Sequence, residues 1–124
     1  MKIENHLEKI ENLTGTLSKL DNNEDHETIV ELFMLISAHY INAALHSTGR
    51  LRPDKDIKHN KIPGTLKRDK YFDEDSINIS ILFQELEDMR PGQVYGTGKN
   101  GKTAEQALEI LAKIREFSEG LIYA

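Results

Sequence analysis

The chain has 124 residues, with 16 Lys or Arg against 21 Asp or Glu, a formal net charge of −5, and neither cysteine nor tryptophan. Such a length holds one domain, 1–124, with one modest core. The lack of cysteine removes disulfides, thiolate metal sites and a cysteine nucleophile from consideration.

The opening segment, MKIENHLEKIENL, is amphipathic and charged, with no apolar run of a secretory signal, so the expected setting is cytoplasmic. Ile3, Leu7, Ile10, Leu13, Leu17 and Leu20 recur at steps of three and four, the period of a one-sided helix. Asp21, Asn22 and Asn23 favour a turn and end it. A second helix is predicted from Glu24 or Asp25 to about Thr48, with acids in its first turn and Gly49 as its stop. It is apolar almost all round, from Ile29 to Leu45, which marks a central helix and not a membrane span, since ELFMLISAHYINAALH carries two His and an Asn. Residues 50–75 lack a sustained period, contain Pro53, Pro63 and Gly64, and suggest one short helix near Gly64–Lys70. A third main helix is predicted over 75–90, with Ile77, Ile81, Leu82, Leu86 and Met89 facing inward, ended by Pro91-Gly92. A fourth runs from about Thr103 to Leu121, with Ala104, Ala107, Leu108, Leu111, Ile114 and Ser118 along one side. With no credible strand pair, the expected fold is all-α: an antiparallel up-and-down bundle of four main helices, with an extra short helix between the second and third.

Charge is segregated along this chain. Residues 50–70 hold eight basic and three acidic side chains, a local +5, so the remainder sums to −10. Residues 71–89 have six acids and no base. An acidic surface repels phosphate, so general nucleic-acid binding is disfavoured. The basic segment reads either as a solvated loop pairing with acidic surface or as a local anion or RNA site.

Gly96-Thr97-Gly98-Lys99-Asn100-Gly101-Lys102-Thr103 matches the phosphate loop GxxxxGKS/T letter for letter. That motif works only where a buried parallel strand leads into it, and here a charged helix and Pro91-Gly92 precede it. Thr103 as an N-cap, with Gln106 completing a capping box, accounts for the same letters, and nucleotide hydrolysis is not expected.

His39, Asn42 and His46 share a stripe of the second helix. A metal there would need carboxylates from neighbouring helices, and the Glu-x-x-His pairs of bundle di-metal sites are missing from this helix, so no metal or other cofactor is assigned. His59, within Lys58-His59-Asn60-Lys61, is either part of a solvated loop or a general acid toward phosphate esters.

Three segments together resemble the HEPN domain family (higher eukaryotes and prokaryotes nucleotide-binding). Leu35-Ile36-Ser37-Ala38-His39-Tyr40-Ile41-Asn42-Ala43-Ala44-Leu45-His46 is similar to the family's aromatic- and alanine-rich second helix. His59-Asn60-Lys61-Ile62-Pro63-Gly64-Thr65-Leu66 stands where relatives have a His element and a short helix, and Glu85 to Arg90 followed by Val94-Tyr95-Gly96 looks like the end of the penultimate helix. The resemblance implies an up-and-down bundle, usually dimeric, and in many members a ribonuclease that uses Arg-x(4–6)-His across the dimer cleft. At that position Arg90 is present, but Tyr95 stands where His is expected, and a phenol is a poor proton shuttle at neutral pH. Arg52 with His59 has the spacing but lies in the loop before Pro53.

The expected function is therefore a non-catalytic, homodimeric binding or interaction module. It would bind a nucleotide or RNA through Lys58, His59, Arg90 and Tyr95, or pair with a nucleotidyltransferase-type partner in a toxin–antitoxin-like system. The alternatives are a metal-independent ribonuclease using Arg90 with His59 or a His of the second helix, and a purely structural dimer.

Overall fold

The computed structural model describes residues 1–21, 24–90 and 101–124, with side chains in the last stretch from Thr103 onward. All regular structure among the described residues is helical: α1 (Ile3–Leu17), α2 (His26–Ser47), α3 (Ile62–Asp69), α4 (Ser76–Asp88) and α5 (Gly101–Ile122). Single 3-10 turns at His59–Lys61 and Asp73–Asp75 lead into α3 and α4.

The helices form a bundle organised around α2, which packs against α1, α4 and α5, while α3 packs on α4. Fifteen of the 22 residues of α2 are buried, and Met34, Ile41, Ala43, Ala44 and Leu45 are fully enclosed. By length and hydropathy α2 could cross a bilayer, its most apolar window averaging 1.5. Yet 78% of that window is buried by the rest of the chain, as in a core helix.

Gly49 ends α2 as its sequence position suggests. At φ +71 it takes a left-handed conformation that side chains disfavour. Arg50 N–H then donates to Leu45 O at 3.0 Å and Gly49 N–H to His46 O at 3.1 Å, the paired bonds of a Schellman cap. This cap turns the chain back toward α2, and the candidate site depends on it. Pro63 sits in the first turn of α3, where its missing N–H costs nothing, and Lys70 at φ 49 closes that helix.

Two helix faces differ from expectation. On α4 the buried stripe is Ser76, Ile79, Ser80, Phe83 and Leu86, while Ile77 and Ile81 are exposed. Hydroxyls decide this. Ser76 Oγ accepts from Phe72 N–H at 2.8 Å and Ser80 Oγ donates to Pro63 O at 2.9 Å, so polar residues serve as the α3–α4 contact face. On α5 the buried set is Ala107, Ile110, Leu111, Ile114 and Ser118, and Leu108 is 52% exposed. Helix α5 also starts at Gly101, so Thr103 stands inside its first turn and not at the N-cap. Residues 91–100, with Tyr95 and most of the phosphate-loop letters, lie outside the described residues.

Candidate functional site

One stripe of α2 carries the chemistry. Glu31, Leu35, Ala38 with His39, Asn42 and His46 recur at steps of three and four, so they share a face about 22 Å long at 1.5 Å per residue. Two polar clusters sit at its two ends.

At the C-terminal end, His46 is enclosed and Asp56 reaches it from the loop that follows the Schellman cap. His46 Nδ1 donates to the Leu51 carbonyl at 3.0 Å, and His46 Nε2 lies 2.8 Å from Asp56 Oδ1. From α1, the buried His6 places Nε2 2.9 Å from the same Asp56 oxygen and Nδ1 2.9 Å from His39 Nδ1. The His6 and His46 rings stack with centroids 5.3 Å apart. Asn42 fixes the loop with two bonds to one residue. Its Oδ1 accepts from Ile57 N–H at 2.8 Å and its Nδ2 donates to Ile57 O at 3.0 Å. The Met1 amino group adds a contact to Asp56 Oδ2 at 3.1 Å.

The electrostatics follow from burial and donors. Burial opposes ionisation of Asp56, but hydrogen bonds from His46, His6 and the Met1 amino group outweigh it and hold the carboxyl down at about 2. Burial, with the His6 ring beside it, holds His39 down at about 4, so His39 is neutral at pH 7. Burial also lowers His6, against the pull of Asp56. A shallow cavity of about 160 Å³ opens over this cluster, lined by His6, His39, Asn42, Asp56 and His59 together with Leu35, Ala38 and Ile57.

At the N-terminal end of the stripe, Arg90 is gripped by two carboxylates. Its Nε and one terminal nitrogen meet Glu31 at 2.7 and 2.9 Å, a two-point fork, and its other terminal nitrogen meets Glu87 at 3.2 Å. The second oxygen of Glu87 accepts from His59 Nδ1 at 2.8 Å. Arg90 and His59 are thus brought together, bridged by Glu87, and His59 also lines the cavity over the histidine cluster. Tyr95 lies outside the described residues.

The basic segment divides by residue type. Arg50, Arg52 and Arg68 pair with Asp73, Asp54 and Asp69. Lys55, Lys58, Lys61, Lys67 and Lys70 are exposed and have no ion-pair partner among the described residues. The arginines are thus paired within the chain, as the solvated-loop reading expects, and the lysines face solvent.

Sequence reasoning missed His6 and Asp56. His6 had a signal, because it follows Ile3 by three and precedes Ile10 by four, on the inner stripe of α1. Asp56 had none, being one acid among many in an aperiodic loop. No protein-family profile, curated protein or solved structure matches this chain.

Proposed function

We propose that the chain is a HEPN-like, non-catalytic binding module. Its exposed lysines, Lys58 among them, together with His59 at the cavity, would take RNA or a nucleotide, and a nucleotidyltransferase-type protein is its proposed partner. The observation that carries this reading is the state of Arg90. A guanidinium already forked to Glu31 and bonded to Glu87 has its charge met by two carboxylates, and a phosphate would have to approach both of them to reach it. The free lysines of residues 55–70 are better placed to receive an anion.

Binding of single-stranded RNA, followed by fluorescence anisotropy across a salt series, tests the reading. Each lysine that neutralises a phosphate steepens the salt dependence. Reversing Lys58 and Lys61 to Glu should weaken binding and flatten that slope, while the RNA stays intact. Binding indifferent to those reversals, or none at all to RNA or nucleotides, would remove the reading.

The ribonuclease alternative draws on one contact, the Glu87 carboxylate that joins Arg90 to His59. It requires RNA cleavage by the purified protein that Arg90→Ala and His59→Ala each abolish. We also propose the homodimer, supported by Ile77 and Ile81, one turn apart on the exposed face of α4. Light scattering should give twice the chain mass, and Ile77→Arg with Ile81→Arg should halve it.

A further inference from the structure

We infer that His6, His46 and Asp56 form a binding site for a divalent first-row transition-metal ion such as zinc, held by His6 Nε2, His46 Nε2 and Asp56 Oδ1 beneath the cavity lined by His39 and His59. The inference is independent of the function proposed above, since none of the three residues belongs to the proposed RNA or nucleotide contacts.

Hydrogen-bond inventory leads to it. A carbonyl can only accept, so the 3.0 Å contact to Leu51 O fixes a proton on His46 Nδ1 and leaves the lone pair of the neutral ring on Nε2. That nitrogen lies 2.8 Å from a carboxylate oxygen, which also can only accept. Two acceptors at that distance require a cation between them, either a proton or a metal ion. His6 joins the arrangement in the tautomer whose Nδ1–H donates to His39 Nδ1, at 2.9 Å, which turns its Nε2 lone pair to the same Asp56 oxygen at 2.9 Å.

Three further features favour the metal over the proton. The three donor atoms all lie within 4.8 Å of one another. Two ligands about 2.1 Å from a tetrahedral ion are about 3.4 Å apart, so Asp56 Oδ1, at 2.9 and 2.8 Å from the two Nε2 atoms, has to withdraw by about 0.5 Å to admit zinc. Each histidine is oriented through its other ring nitrogen, His46 by the Leu51 carbonyl and His6 by His39, the support that metal-binding histidines carry. The carboxylate is positioned by the two-bond Asn42 clamp on the adjacent Ile57. Two imidazoles and one carboxylate suit zinc, iron or nickel, and three protein ligands leave a coordination position open toward the cavity for water or a ligand.

The full-length protein, stripped with a chelator and dialysed, is titrated with zinc by calorimetry and with cobalt by visible absorption, which reports its ligand field directly. One ion per chain is expected, with a melting temperature that rises as zinc is added. Asp56→Asn and His46→Gln should each weaken binding by at least about 100-fold, and His39→Phe, which removes only the orienting partner of His6, by about 10-fold. Circular dichroism shows whether each variant folds. Should the His46 variant unfold, Asp56→Asn decides alone, because Asp56 is loop-borne and a third exposed. His26→Gln, on the same helix and away from the cluster, should leave stoichiometry and affinity unchanged. Absence of stoichiometric binding, or binding that survives Asp56→Asn in a folded protein, overturns the inference and leaves a proton in the cluster.

Discussion

The two ends of the α2 stripe solve the problem of buried polarity in opposite ways. At Glu31 the chain sets one guanidinium between two carboxylates, and every charged group finds its complement within 3.2 Å. At His46 it sets two imidazoles against one carboxylate, with a third ring behind His6. The first arrangement is closed: its charges are spent on one another, and it serves as a tie between α2 and the end of α4. The second is open toward a cavity lined by His6, His39 and Asp56. A conspicuous arginine at a family-like position is therefore no guide to function until its partners are known. A histidine on a helix stripe gains weight once two other segments converge on it.

Breaking the closed cluster should produce the largest effect. Arg90→Ala leaves Glu31 and Glu87 facing each other without their cation. Because all three groups are partly solvated, we expect a loss of about 2–3 kcal/mol in urea unfolding, at the low end of the cost of breaking a buried pair. Glu31→Gln in the same background should restore part of it. A loss below about 0.5 kcal/mol, the range of ordinary surface changes, would show that the tie is decorative.

Asn42→Ala acts on the open cluster through its loop. It removes both bonds to Ile57 and leaves a half-buried N–H unpaired, for an expected loss of about 2 kcal/mol. It should also loosen Asp56, so the same variant is expected to lose zinc affinity while Arg90→Ala keeps it. Equal effects of the two variants on zinc would mean that the clusters act as one unit through His59.

Acidification sharpens the comparison with a smaller effect. His39 sits at about 4 when folded and near 6.5 when unfolded, so between those values the unfolded chain binds the extra proton and stability falls as pH drops. Asp56, at about 2 when folded, adds stability above its unfolded value near 3.8 and loses it as pH falls from there toward 2. Chelator-treated protein should therefore lose melting temperature in two stages below neutrality. His6, Lys9 and Asp56 are the charged or titratable groups acting on His39, and His39→Gln should shrink the upper stage to the part that comes from His6, which burial also lowers, and leave the lower stage in place.

The smallest change lies outside both clusters. Ser37 and Ser118 are buried with hydroxyls that have no hydrogen-bond partner among the described residues. Replacing either with Ala removes an unmet polar group at almost constant volume, and a gain of about 0.5–1 kcal/mol is expected by thermal unfolding.

Much of the architecture was legible because helix signals are local. The leucine and isoleucine stripe of α1, the all-round apolarity of α2 and the Gly49 stop lie within a few residues of what they control. The faces of α4 and α5 were less legible. Apolar periodicity offered Ile77 and Ile81 as the inner side of α4, but Ser76 and Ser80 are inside because backbone groups at Phe72 and Pro63 need them, and that need is invisible until α3 is in place. Within the site, His39 and His46 could be placed on one stripe from spacing alone. The helix lacks Glu-x-x-His pairs, so spacing offered no carboxylate beside them, and the one that reaches His46 comes from the loop.

By itself the sequence determined a cysteine-free, all-helical chain with a buried second helix, and a basic segment set against an acidic remainder. Tertiary structure alone decided which charges are spent and which are free. Helical period and capping depend on residues three or four apart, and a single chain displays them directly. The joining of His6 to Asp56 across 50 residues, and of Arg90 to Glu31 across 59, depends on how α1 and α4 dock against α2 and where the Gly49 turn sends the loop, and those are properties of the packed whole.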